Sequence, residues 1–501
     1  MAGSDSAGGL WAPQRRALVA GLVLNVTFVA SEALAVVTVM PVVARDLRGL
    51  SLYGWAFSAF MLASVVGIVL AGRLADLRGP ALPFAGGLAL FLSGLAVAGL
   101  APSMAVLVAG RALQGVGAGA IPAIAYVAIG RSLPDALRPR MMAVLSTAWV
   151  APGLAGPALS AEVARLFGWR WVFLGLLPIV AATGSMALPA LRRLGRPAPA
   201  EGTGKAGHRV IDGLRTAAGA GLVVAGLTLA GDAARAHGPA VPLLALGGLA
   251  GFPALRRLLP PGALRAARGL PATILARGLL TFTFFGADTY VTLTITAVRH
   301  HSPAVASIAV TGATLAWTGG AWVQARLSSR QPPARLIRSG LLIVLAGIGG
   351  MLAVLAPAVP LAEGLAAWTV AGFGIGLAYA PISLLTLRQA QPGREGWASA
   401  SLNLADVLGT ALGIGAGGAA VAAGAGSGLG LAVGIAIAFC LAGAAGLAGL
   451  AVTARLPGSG AGEAGGESRD EAGRAGGRAA RASRAVPADA AAGMRPPSPM
   501  T

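Results

Sequence analysis

The chain has 501 residues, of which 56% are hydrophobic, 75 are glycine and only 11% carry charge. A soluble chain carries roughly 25% charged residues, so a water-facing surface of this size is excluded, and the mean hydropathy of +0.75 marks a polytopic membrane protein. The net charge of +20 is spread over many short loops, a pattern of membrane topology rather than of nucleic-acid binding.

Apolar runs of about 17–25 residues are long enough to cross a hydrocarbon core of roughly 30 Å. Six occur in the first part, at 17–40, 53–72, 82–100, 104–128, 141–164 and 171–191. The first is too long, and too polar at Glu32, to be a cleaved signal peptide. A polar loop, 192–213, carries Arg192, Arg193, Arg196, Lys205 and Arg209, and two short apolar runs follow at 214–231 and 239–255. After a basic stretch from Arg256 to Arg268 come six more runs, at 272–297, 304–325, 337–356, 361–387, 397–423 and 429–453. From Arg455 the composition turns to Gly, Ala, Ser, Arg and Glu without periodicity, which predicts a solvated, disordered tail over 454–501.

The arginines alternate between the loops as the positive-inside rule requires. With residues 1–16 inside, the outer loops hold only Arg45, Arg48, Arg165, Arg170, Arg235 and Arg299. Fourteen transmembrane helices with both termini cytoplasmic are therefore expected. They divide into a bundle over 17–191, an inserted helix pair over 214–255 flanked by loops 192–213 and 256–271, and a second six-helix bundle over 272–453. A faint repeat supports two related halves: Gly72-Arg-Leu-Ala-Asp-Leu-Arg follows the second span and Gln324-Ala-Arg-Leu-Ser-Ser-Arg the tenth. Paired six-span halves are an architecture of secondary transporters, with the substrate site between them near the midplane.

The informative residues in such a chain are those that resist burial in lipid. A charge at the bilayer centre costs at least about 2.5–3.5 kcal/mol, so it faces a partner or a wet cavity. Glu32 lies in the first span, Asp288 in the ninth, Asp406 in the thirteenth, and Arg111 in the fourth with Gln114 one turn on. A carboxylate held between desolvation, which favours its protonated form, and a nearby arginine, which favours the charged form, can bind and release protons. The structural alternative, satisfaction of a serine, threonine or backbone neighbour, stays open for Asp288 and Asp406. Glu162 and Glu363 fall at outer ends and read as solvated charges, and Arg277, near an inner end, as a snorkelling side chain.

Several chemistries have nothing to stand on. The lone cysteine, Cys440, sits in an apolar run, and His208, His237, His300 and His301 form no ligand pair, so no metal or cofactor is expected. The strings Gly115-Val-Gly117-Ala-Gly119 and Gly372-Phe-Gly374-Ile-Gly376 lie within spans, where small residues allow helices to approach closely. The only lysine, Lys205, is followed by alanine, so there is no phosphate-binding loop, and no enzyme is expected.

The chain resembles the drug:proton antiporters of the major facilitator superfamily, in their fourteen-span branch. Gly72-Arg73-Leu-Ala-Asp76-Leu-Arg78-Gly79 looks like the superfamily's cytoplasmic loop signature, and Arg111-Ala-Leu-Gln114-Gly115 its fourth-span motif. Pro152-Gly153-Leu-Ala-Gly156-Pro157 is similar to the antiporter motif, Trp169-Arg170-Trp171-Val-Phe173 to the opening of the sixth span, and Glu32 through Met40-Pro41 to an acidic first helix ending in proline. The resemblance implies that Arg73 and Asp76 join a latch between halves, that Arg111 handles protons, and that Glu32 serves protonation and recognition of cations. It also implies that Gly153, Gly156 and Pro157 bend or thin the fifth helix where it slides on the second half. Leu77, Pro80 and Ala81 stand where the signature carries basic residues, and Ser160-Ala161 where the antiporter motif continues with two glycines. The latch is thus expected to be weakened.

The leading expectation is a proton-coupled antiporter that exports amphipathic small molecules, cations among them, by alternating access. Its partners are the substrate, protons and membrane lipid, without nucleic acid, and it is expected to be a monomer. A dedicated exporter of a secondary metabolite or siderophore is the second reading, and a non-transporting sensor or scaffold the third. One lysine against 37 arginines fits a GC-rich bacterial source and hence a multi-pass protein of the bacterial plasma (inner) membrane.

Overall fold

A computed structural model describes residues 9–13, 15–134, 150–195, 204–231, 239–328, 330–391, 395–426 and 428–457, with isolated positions at 137, 141, 144 and 148. The described parts of the long apolar runs form helices, because in hydrocarbon a helix satisfies its backbone donors and acceptors internally. In chain order they are α1 (Arg16–Asp46), α2 (Trp55–Arg78), α3 (Ala81–Gly99), α4 (Met104–Ser132), α5 (Val150–Phe167) and α6 (Leu176–Arg193). A five-residue helix, Arg170–Leu174, leads into α6. Then follow α7 (Gly204–Gly231), α8 (Ala240–Leu258), α9 (Leu270–Leu293), α10 (Pro303–Leu327), α11 (Pro333–Ala353), α12 (Leu361–Gln389), α13 (Glu395–Gly426) and α14 (Leu431–Thr453).

Among the described residues, thirteen helical segments are long and apolar enough to cross a membrane. The remaining long helix, α5, is the described part of the run at 141–164, and carries Glu162, Arg165 and two prolines within eighteen residues. The predicted tail beyond residue 457 lies outside the described residues. Several boundaries differ from expectation for a shared reason. Helix α7 begins at Gly204, ahead of the apolar run, and α1 continues past Pro41 to Asp46. Hydropathy marks where lipid begins, whereas backbone hydrogen bonding carries a helix on into water.

Taking α1–α6 and α9–α14 as two halves, the helices around α4 and around α12 pack alike. In α4, Gly115 and Gly119 lie against α2: a methyl group on either would come within 2.2 Å of Phe60 O or 2.1 Å of Ser64 O. Gly117 faces α3, with Gly87 O at 2.4 Å from such a methyl. In α12, Gly372 and Gly376 meet α10 at Ala313 O and Trp317 O in the same way, at 2.2 and 2.1 Å, and Gly374 meets α11 at Gly340 O, at 2.7 Å. The two glycine strings are therefore one packing device used twice, and they express the internal repeat far more clearly than the loop sequences do.

The halves meet along α2 with α13, α5 with α10, and α1 with α9 and α10. At the end of the bundle that carries the α1–α2 connection the seam is tightly knit. The Tyr53 hydroxyl donates to Thr289 O at 3.1 Å, and the Ser58 hydroxyl to Ala411 O at 3.0 Å. Gly54 closely approaches Gly418 across the seam, beside a bond within the second half in which the Tyr290 hydroxyl donates to Ile414 O. Pro41 adds to this closure. Lacking an N–H, it leaves Val37 O without its helical donor, and the Thr292 hydroxyl of α9 donates to that carbonyl at 3.0 Å.

Helices α7 and α8 pack on one another through Gly219, Gly247 and Gly251. The pair then rests on both halves at once. Trp55 Nε1 of α2 donates to Thr228 Oγ1 of α7 at 3.1 Å, Gly415 of α13 abuts Val224, and the Ser401 hydroxyl of α13 donates to Leu258 O at 3.1 Å.

Alanine at Gly115 or Gly372 forces helix backbones apart, an overpacking that costs about 1–3 kcal/mol, whereas Gly86 and Gly443 have nothing within 4 Å of an added methyl. Thermal unfolding in detergent should therefore show a lowered Tm for Gly115→Ala and Gly372→Ala and an unchanged one for Gly86→Ala and Gly443→Ala. Equal Tm values across the four would refute the packing role.

Candidate functional site

The candidate residues of the first half converge. Glu32 of α1 and Arg111 and Gln114 of α4 meet inside the bundle, with Glu32 and Arg111 only 1% and 2% exposed. Arg111 Nη1 pairs with Glu32 Oε1 and donates to Gln114 Oε1 at 2.8 Å. Gln114 Nε2 donates to Glu32 Oε1 at 3.3 Å. Spacing of three residues puts Arg111 and Gln114 on one helical face, and the remaining guanidinium surface is also used. Its Nε donates to Ala56 O of α2 at 3.0 Å, and its carbon lies 4.2 Å from the centre of the Phe60 ring. One arginine thereby joins α1, α2 and α4. The second carboxylate oxygen of Glu32, Oε2, is buried without a hydrogen-bond partner.

The second half holds an ion pair that composition alone did not reveal. Arg277 of α9 does not snorkel. It is buried and lies 3.0 Å from Asp406 of α13, the side chains being 5% and 21% exposed. Its Nη1 donates to Tyr379 O at 2.9 Å and its Nη2 to Ser383 Oγ at 3.0 Å, both on α12. The guanidinium carbon stands 3.3 Å from the centre of the Tyr379 ring. The Tyr379 hydroxyl in turn donates to Asp406 Oδ2 at 3.1 Å. Snorkelling requires a path to the interface, and here a nearby carboxylate offers the guanidinium a better partner.

Among the described residues, Asp288 is satisfied neither by a hydroxyl nor by a backbone neighbour. Trp368 Nε1 of α12 donates to Asp288 Oδ1 at 2.8 Å. From that contact an aromatic wall extends across the half. Trp368 stacks on Phe284 with centroids 5.2 Å apart, Phe284 meets Trp317 edge-on at 5.6 Å, and Trp317 meets Tyr379 at 5.4 Å. Phe285 adds a further ring 6.0 Å from Trp317. The wall thus runs from Asp288 at one end to Asp406 at the other. None of its members stood out in the sequence, although Phe284 precedes Asp288 by four residues and shares its helical face.

The motif residues of α2 sit apart from these clusters. Arg73 and Arg78 are exposed in its last turns and form no ion pair among the described residues, and Gly79 ends the helix at φ +83°. Gly72 has open space beside it, and the side chain of Asp76 lies outside the described residues. The antiporter-type residues of α5 serve two surfaces. Gly153 permits contact with Thr314 of α10, whose Cγ2 would be 2.3 Å from an added methyl. Pro152 and Gly156 instead line a cavity of about 770 Å³ between α1, α5 and α6, with Ser31, Ser160 and Trp171. Pro157 is buried within α5. Glu162 is exposed, as expected, and pairs with Arg165 one turn on. Trp169 Nε1 donates to Asp46 Oδ2 at 2.8 Å, tying the segment before α6 to the end of α1.

Glycine-packed membrane-length helices with an acid–arginine pair held between them in each half make a polytopic helical bundle with charge in its interior. Residues 20–414 match the family described as Major Facilitator Superfamily, and the chain belongs to it. It is 28% identical over 408 residues, 78% of this chain and 84% of the other, to a probable multidrug-efflux transporter of Mycobacterium tuberculosis. It is 32% identical over 166 residues to the multidrug transporter protein MdtP of Bacillus subtilis, covering 33% of this chain and 31% of that one. The crystal structure of the POT family transporter PepTSo superposes with a TM-score of 0.64 at 14% identity over 87% of this chain and 97% of that one, a likeness of fold.

The unequal burial of the two ion pairs has a measurable consequence. Removing Arg111 strands a fully buried carboxylate, at a cost of about 3–5 kcal/mol, whereas Asp406 retains some exposure and its Tyr379 donor. Thermal unfolding in detergent should therefore show a larger fall in Tm for Arg111→Leu than for Arg277→Leu. The reverse order would mean that burial does not set the strength of these pairs.

Proposed function

We propose that this chain is a proton-coupled antiporter that exports amphipathic small molecules by alternating access. In this reading it has fourteen spans with both termini in the cytoplasm of a bacterium, acts as a monomer in the inner membrane, and uses α1–α6 and α9–α14 as its moving halves. The observation that carries the proposal is the sealed Glu32–Arg111–Gln114 cluster with its one bare carboxylate oxygen. A proton on Oε2 would relieve the unsatisfied acceptor and loosen the hold of Arg111, while loss of that proton restores the full ion pair. Because Arg111 also holds Ala56 O, such a change reaches α2, the helix that meets α13 at the seam. Protonation would thus bias a contact between the halves, as a transport cycle needs.

The outward direction of transport and the amphipathic substrate class draw support from the efflux function in the names of the relatives. The knit seam around Tyr53 and Thr292 corresponds in this reading to a closed outer gate, with the exposed Arg73 and Arg78 at the opposite end of α2. Gly153 would let α5 slide on α10, and Gly156 and Pro157 would thin and bend α5 beside the cavity at α1.

Everted membrane vesicles with an acidified interior provide the test. Added substrates should dissipate the proton gradient in the wild type, and Glu32→Gln, which keeps an acceptor for Arg111 but cannot cycle a proton, should abolish the response. Undiminished substrate-induced proton movement in Glu32→Gln would remove Glu32 from the coupling path. Silence of the wild type toward a broad panel would favour a dedicated exporter of narrow range.

A further inference from the structure

We infer that the end of α8 and the turn after it bind an anionic phospholipid, with Arg256, Arg265 and Arg268 taking the headgroup phosphate and the outer face of α8 an acyl chain. Uncompensated charge is the first support. From Arg256 to Arg268 the chain carries four arginines and no acid. Asp212 of α7 accepts from Arg257 at 3.3 Å and so answers one of them. Arg256, Arg265 and Arg268 are exposed and form no ion pair among the described residues. Basic clusters at the membrane end of a helix attract anionic headgroups, and a phosphate gives several guanidinium groups one shared counter-ion.

The surface beside these charges is the second support. Helix α8 is the least buried of the membrane-length segments among the described residues, so its outer face meets lipid tails. Leu249 and Phe252 are exposed on that face, and spacings of three and four residues put Arg256 in line with them. The Arg256 guanidinium carbon lies 5.9 Å from the centre of the Phe252 ring, so the charge turns back over the apolar strip instead of away from it. A lipid has the matching layout, with its phosphate level with the guanidinium and its chain along Leu249 and Phe252. The turn is held in shape as well. Ala266 adopts a φ of +50°, uncommon for a residue with a side chain. Arg455, just past α14, donates from Nη1 to Arg265 O and Ala266 O at 2.7 and 3.1 Å. Two residues beyond Arg256, Leu258 O accepts the Ser401 hydroxyl of α13 at 3.1 Å. A headgroup on Arg256 therefore secures the α7–α8 pair at its footing on the second half. Arg192 and Arg193 at the end of α6 are exposed too, but neither has an aromatic ring beneath it among the described residues.

Dioctanoyl phosphatidylglycerol and its zwitterionic phosphatidylcholine counterpart would be titrated onto the purified full-length protein in detergent, with bound lipid counted by native mass spectrometry. The wild type should bind phosphatidylglycerol more tightly than phosphatidylcholine by about tenfold, and Arg256→Gln with Arg265→Gln should weaken phosphatidylglycerol by roughly tenfold or more. Arg256→Lys with Arg265→Lys should keep most of the affinity, because the charge is retained. Arg192→Gln with Arg193→Gln should change it by less than about twofold. Bound phosphatidylglycerol should also raise the Tm of the wild type and leave that of the glutamine variant unchanged. The inference is overturned if the two lipids bind the wild type alike, or if the α6 variant loses as much affinity as the α8 variant. Either result would reduce these arginines to diffuse surface charge. It is overturned as well if glycerol 3-phosphate at equal concentration displaces the lipid, or if bound lipid leaves the wild-type Tm unchanged. Neither substrate nor proton movement enters these readouts, so the exporter reading stands or falls separately.

Discussion

The pairing of Glu32 with Arg111 is the constraint around which the first half is arranged. Neither charge is tolerable alone in a low-dielectric interior, and loss of one partner from such a pair costs several kcal/mol. The guanidinium meets this demand by taking every nearby acceptor: a carboxylate from α1, an amide oxygen from its own helix and a backbone carbonyl from α2. Three helices are thereby fixed around one group. An arrangement that depends so heavily on one charge balance is also sensitive to a single proton.

The same logic appears in the second half with a different outcome. Arg277 ties α9 to α12 and α13, but its partner Asp406 stays partly exposed, and the third acid, Asp288, is given an indole instead of a cation. The halves share their scaffold, down to the matching glycines of α4 and α12, and differ in how their charges are closed. One holds a sealed pair. The other presents an aromatic wall with an acid at each end. Two like-packed frameworks thus carry unlike polar clusters.

How much of this was legible in the sequence depended on the residue. Glu32, Arg111 and Gln114 were legible because charge inside an apolar run has few explanations, and the three-residue spacing of Arg111 and Gln114 shares a face by helical geometry. The glycine strings were legible as packing surfaces, but their correspondence became visible only when α2 and α10, or α3 and α11, were found against them. Arg277 was misread, since its place near a span end allows snorkelling as readily as burial, and a string does not say that Asp406, 129 positions later, is its neighbour. The aromatic wall drew on Phe284, Phe285, Trp317, Trp368 and Tyr379 from three helices, residues that read singly as ordinary core. Pro41 was noticed as part of a motif. That it frees Val37 O for Thr292 depends on the position of α9.

The sequence by itself determined that the chain lives in a membrane, where most of its helices run and which charges are expensive. These follow from local properties, because hydropathy, helical periodicity and the cost of desolvation act on each segment independently of its neighbours. Only the tertiary structure decided which expensive charges cancel one another, which end of the bundle is knit shut, and that α7 and α8 lie against both α2 and α13. Charge compensation and helix contact are properties of pairs far apart in the chain, and a pair acquires its energy only when folding brings its members within a few ångströms.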